Sequence, residues 1–123
     1  MGSFRHHTII VTGAFKGPVK RAHRKARKKF RKLVSEIVYT RLNGFSSFFI
    51  APDGSKEFWD ESDRCDRLRA KYVAWLSRQV GDSGYSLLKW VEIMFGDEMG
   101  RPSRVVNDST PPIPPDAESE IPF

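Results

Sequence analysis

Between Lys16 and Lys32 the chain places ten Lys or Arg residues and no acid. They are Lys16, Lys20, Arg21, Arg24, Lys25, Arg27, Lys28, Lys29, Arg31 and Lys32. At helical spacing, like charges three and four residues apart repel by a few tenths of a kcal/mol per pair. A polyanion relieves that repulsion and releases counterions as it binds. The chemistry implied is recognition of phosphates by charge. The plainer alternatives are a solvated helix face, a face neutralised by the chain's own acids, or an acidic protein partner. Solvated faces usually mix signs, and this one does not.

The distribution of charge sharpens the point. The chain carries 21 Lys and Arg against 15 Asp and Glu, a net of +6. Removing the ten cations of the basic segment leaves eleven against fifteen, a net of −4. The basicity therefore belongs to one segment, the footprint expected of a polyanion-binding surface.

Rings are the second ingredient of single-strand binding, because bases stack on them at about 1–3 kcal/mol each. By strand alternation, Tyr39, Phe45, Phe49 and Trp90 share one sheet face. Tyr39, Phe49 and Trp90 are taken as candidate stacking residues beside the basic segment. The alternative for each ring is a place in the core.

The third feature is the end of the chain. Pro111-Pro112-Ile113-Pro114-Pro115 is followed by Asp116, Glu118 and Glu120, then by Ile121-Pro122-Phe123. This ending resembles the C-terminal tip of bacterial single-stranded DNA-binding proteins. The resemblance covers about the last eight residues. It implies a partner-binding role for Asp116, Glu118, Glu120, Ile121, Pro122 and Phe123. The Phe ring would fill an apolar pocket on a replication, recombination or repair protein. The terminal carboxylate would meet a basic group, and the acids would lie along a basic rim. The DNA-binding domain of that family is an all-β OB barrel. The body of this chain has a long helix straight after its first strand, so the resemblance stops at the tail.

The elements that must position these residues can be read from periodicity. His7 to Thr12 reads as a strand, apolar on both faces through Ile9-Ile10-Val11, as a central strand should be. Pro18 suits the first helical position. Val19, Ala22, Ala26, Phe30 and Leu33 then recur at steps of three and four, which predicts a helix from Val19 to Leu33. Val34 to Arg41 suits an edge strand. Asn43-Gly44 signals a type I′ hairpin turn, and Phe45 to Ala51 returns as a strand. Asp60 or Ser62 can cap a second helix running to about Gln79, with the stripe Cys65, Leu68, Tyr72, Trp75 and Leu76. Leu87 to Phe95 is a last strand. The order β-α-β-β-α-β predicts a ferredoxin-like α+β domain over residues 1–100, a four-stranded antiparallel sheet with two helices on one face. Residues 101–123 read as a disordered Pro-rich linker and acidic tip.

Enzymatic signals are weak. The segment Gly13 to Arg21 is faintly similar to the phosphate loop of acylphosphatases, but the Asn that family needs on a later strand has Ile50 or Ala51 in its place. His6, His7, His23 and Cys65 have no metal-ligand spacing. A lone cysteine excludes an internal disulfide and fits a reducing cytoplasm, and neither a membrane span nor a signal peptide is read. The expectation is a non-enzymatic, sequence-independent single-stranded DNA-binding protein of a bacterium or its phage, without cofactor. It would be cytoplasmic, a possible homodimer, and would recruit replication and repair proteins through its tip. The alternative is a phage-encoded interaction module that mimics the tip to engage host repair proteins without binding DNA.

Overall fold

A computed structural model describes residues 3–81 and 86–110. The tip residues Asp116 to Phe123, and the recruitment role expected of them, lie outside the described residues. The described residues form five strands and two helices: β1 (His6–Gly13), α1 (Lys16–Phe30), β2 (Val38–Tyr39), β3 (Ser46–Ile50), α2 (Asp60–Ser77), β4 (Lys89–Phe95) and β5 (Arg104–Asp108). All five strands join one sheet in the order β2-β3-β1-β4-β5, and every neighbouring pair is antiparallel.

β1 is the middle strand. Ile9 and Val11 stand opposite Ile50 and Phe48 on one side, and Val11 stands opposite Trp90 on the other. These five side chains are buried with Val19, Ala22, Ala26 and Phe30 of α1 and Tyr72, Val73 and Leu76 of α2. One core therefore takes in both helices and a single sheet face. The small Ala22 and Ala26, both 0% exposed, let α1 lie close on the sheet. The opposite face carries Thr8, Ile10, Ser47 and Phe49.

Local chemistry explains most boundaries. α1 begins at Lys16, three residues before the predicted start, with Pro18 in its first turn, where a missing N–H leaves no helical bond unmade. It ends at Phe30 and passes into a 3-10 turn over Arg31–Leu33. Asn43 and Gly44 take φ of 56° and 71°, the left-handed values that the predicted type I′ turn demands of both residues. β2 is far shorter than the predicted Val34 to Arg41, because regular pairing reaches only Val38↔Ser47 and Tyr39↔Ser46, with one isolated bridge from Val34 to Ile50.

Two expectations are corrected. The sheet has five strands, not four. Arg104–Asp108, read as disordered linker, pairs with β4 from Met94 to Val91 through a bulge at Glu92/Ile93. Its side chains are all exposed, so main-chain bonds hold it, and these leave little trace in a hydropathy pattern. α2 begins at Asp60 after an uncapped Trp59, and its buried stripe is Cys65, Arg69, Tyr72, Val73 and Leu76. An arginine thus sits where only apolar residues were expected. Among the described residues, no helix is long and apolar enough to cross a membrane.

Candidate nucleic-acid interface

The helical stripe that packs α1 onto the sheet turns its cations outward. Lys16, Lys20, Arg21, Arg24, Arg27, Lys28 and Lys29 are exposed, as are Arg31 and Lys32 in the turn that follows. Lys25 is half-buried, its Nζ 5.1 Å from the Trp75 ring centroid. The first turn of α1 has no acid, and its last turn holds Arg27, Lys28 and Lys29. Those three favour the negative end of the helix dipole, whereas Lys16 and Lys20 work against the positive end.

Among the described residues, one carboxylate reaches this set: Glu36 accepts from Arg27 Nη2 at 2.7 Å. The Arg27 hydrogen bond and charge hold the Glu36 carboxyl below its usual range. Being exposed, this pair offsets little of the repulsion. His23 does not join the charged face: its Nε2 lies 2.8 Å from the Ser35 carbonyl oxygen and its ring meets the Phe48 edge.

α2 extends the basic surface in a way the sequence reading missed. A cleft of about 190 Å³ between the helices is lined by Lys25 and Lys29 of α1 and by Lys71, Trp75 and Arg78. Lys71 and Arg78 stand four before and three after Trp75, so they flank the ring on one side of α2. That spacing was visible in the sequence, but the segment's mixed charge concealed it.

The candidate rings do not gather on one face. Trp90 is 5% exposed and belongs to the core, so it offers no stacking surface and its expected place on the open face is corrected. The cause is register: Trp90 stands opposite Val11, whose side chain points toward the helices. Tyr39, 50% exposed, stands opposite the buried Ser46 and so also lies on the helix side, with Lys16 Nζ 5.7 Å from its ring centroid. Phe49, 47% exposed, points to the opposite sheet face beside Ile10 and Val38. Of the three candidate rings, Tyr39 is the one exposed alongside the basic helix.

Cys65 is buried, and burial together with the Asp53 and Glu61 carboxylates pushes its thiol up to about 11. A thiol so protonated at neutral pH is a poor nucleophile. Among the described residues, no group of three or more His, Cys, Asp or Glu side chains is placed to hold a metal ion. No protein-family model, curated protein or solved structure matches the chain.

Proposed function

We propose that this chain is a non-enzymatic protein that binds single-stranded DNA through the outward face of α1, and that its acidic tip recruits replication, recombination or repair proteins. The observation that carries this reading is the band of nine exposed cations from Lys16 to Lys32, met by one carboxylate among the described residues. A helix of 15 residues spans about 22 Å, long enough to follow several phosphates. Lys71 and Arg78 widen the band, and Tyr39 supplies a ring at the Lys16 end. The resemblance of the tail to the tips of bacterial single-stranded DNA-binding proteins supports the recruitment half. A bacterial or phage-host cytoplasm fits both halves. We read the first four strands and two helices as a ferredoxin-like split β-α-β arrangement, with β5 added beside β4.

Fluorescence anisotropy tests this reading. The intact protein is titrated with a labelled poly-dT strand, an RNA of equal length and a duplex, at two salt concentrations. Tightest binding to single-stranded DNA is expected. If about five phosphates are neutralised, log K falls with log[salt] by roughly 0.7 per phosphate, a slope near −3.5. A slope near zero, or no binding at low salt, would leave the tail as the working part and make the protein a mimic acting on other proteins.

A further inference from the structure

The sheet buries one face under both helices, and among the described residues no element covers the other. Antiparallel sheets with one wet face normally alternate apolar inward with polar outward. β4 does not: Trp90, Glu92 and Met94 point to the helices, while Val91, Ile93 and Phe95 point away. Register sets the outward three beside β1 and β3. Ile10 stands opposite both Phe49 and Val91, and Thr8 stands opposite Ile93. Val105 of β5, opposite Ile93, and Val38 of β2, opposite Ser47, carry the apolar surface to both edges. Ile10, Phe49, Val38 and Val105 are 39%, 47%, 63% and 55% exposed. A contiguous apolar surface of this kind marks an interaction site.

The hydroxyls on this face are already matched. Thr8 Oγ1 donates to the Ile50 carbonyl oxygen at 2.7 Å, and the Thr12 and Ser47 hydroxyls bond each other at 2.8 Å. Water can therefore leave the face without orphaning them, which is the main cost of burying polar groups. Charge stands at the margins, with Lys89 and Asp108 at one end of the sheet and His6 at the other. A polyanion meets one lysine here, against nine exposed cations around α1. The occupant that suits this face is itself neutral and apolar.

Shape points to a second copy. A recess of about 240 Å³ lies between Ile10, Val38 and Phe49, beside the protruding Phe49 ring. A knob and a recess on one patch are what a two-fold contact needs, since each copy supplies both. Area agrees. Five strands of two to eight residues, at about 3.4 Å per residue and about 4.8 Å between strands, cover roughly 440 Å². Two copies contribute roughly 900 Å² of footprint, and the accessible surface over projecting side chains exceeds its footprint. The total reaches about 1,000 Å², the lower bound for a specific interface, and fits a weak, reversible dimer.

We propose that two copies of this chain pair face to face through the open side of the sheet, with Phe49 of each copy seated in the recess of the other. Both helices lie on the far side of each sheet, so the two α1 bands face outward and each copy binds a strand on its own. The contact goes beyond the α1 reading and does not depend on it.

The test is sedimentation velocity of the full chain from about 1 to about 200 μM, a span suited to a small interface. The mass is expected to rise from one chain to two and to stop there. Phe49→Asp and Val38→Asp should each weaken association roughly tenfold or more, because a charge is buried without a partner. Leu42→Asp, at a 76% exposed residue of the β2–β3 turn, should leave association unchanged. Far-ultraviolet circular dichroism checks that the variants fold. A chain that stays single throughout would overturn the proposal, and so would a dimer that survives both substitutions on the face. Assembly beyond two copies, or loss with Leu42→Asp as well, would mean unspecific apolar clustering and would do the same. Loss on reversing charge at Arg24, Arg27, Lys28 and Arg31 would put α1 in the contact and overturn the sheet-face pairing. Should Phe49→Asp not fold, Val38→Asp, at the more exposed edge position, still decides.

Discussion

The Tyr72 hydroxyl donates to the Ala22 carbonyl oxygen at 2.7 Å, from the interior of α2 to the interior of α1. It links residues 50 apart in sequence and is buried at both ends. Burial pushes the Tyr72 phenol above its usual range, so it remains a donor at any physiological pH. The ring meets Phe30 edge-on, with centroids 5.8 Å apart. The basic helix is thus fixed to α2 by a buried polar bond as well as by its apolar stripe. In Tyr72→Phe the ring and its packing against Phe30 stay, and the Ala22 carbonyl keeps its helical bond. The expected cost is about 1 kcal/mol, or about 4–8 °C in Tm for a body of this size. Thermal unfolding checks it. An unchanged Tm would mean that the bond contributes nothing to holding the helices together.

Lys71 of α2 and Arg78, which follows its last turn, line the same cleft as Lys25 and Lys29 of α1. Lys71→Ala and Arg78→Ala together should therefore lower single-stranded DNA affinity. The salt slope should become shallower by about 0.7 for each phosphate that is no longer neutralised. Both side chains are exposed, so stability should move by less than about 0.5 kcal/mol. Anisotropy at several salt concentrations reads the slope. A slope equal to that of the unaltered chain would confine the interface to α1.

What was legible in the sequence was local. The α1 stripe, the apolar run of β1 and the Asn43-Gly44 turn each follow from spacing within a few residues. What was hidden depends on partners distant in sequence. β5 buries nothing, so no pattern marks it. Along β4 the apolar set Val91, Ile93 and Phe95 suggests the core side, with Glu92 facing water. The fold turns Trp90, Glu92 and Met94 inward instead. Glu92 can sit there because Arg69 and His7 stand near its carboxylate. Arg69 in turn can replace an apolar residue in the α2 stripe because Asp53 and Asp66 meet its guanidinium. Both burials rest on partners that other segments of the chain supply, and no single segment reveals them.

Asp53 ties the loop before α2 to Arg69, with Arg69 Nη1 3.3 Å from Asp53 Oδ1. Burial works against its charged form, but hydrogen bonds from Ser55 and its own backbone, with the Arg69 charge, outweigh burial and hold its pKa below the ordinary 3.8. A carboxyl depressed by folding stabilises the fold at pH above its unfolded value, and that contribution is lost as pH falls through the folded value. Asp53→Asn should therefore be less stable than the unaltered chain at neutral pH. The gap should narrow as pH drops below about 4. Urea unfolding of both proteins across that range checks it, and a gap that stays constant with pH would deny the pair its ionic contribution.

Tyr39 and Phe49 are about equally exposed but lie on opposite sides of the sheet, and this separates a stacking role from mere surface hydrophobicity. α1 and Lys16 flank Tyr39, so a strand following the basic band passes this ring and not Phe49. Tyr39→Ala should cost about 1–3 kcal/mol of single-stranded DNA binding, the range for one base–ring stack, or roughly 5- to 150-fold in affinity. Phe49→Ala should leave that affinity within twofold. Tyr39→Phe should retain most of it, since the ring and not the hydroxyl supplies the stack. Anisotropy with poly-dT at one fixed salt concentration compares the three variants directly. Loss with Phe49→Ala and none with Tyr39→Ala would move the DNA path to the open sheet face and away from α1.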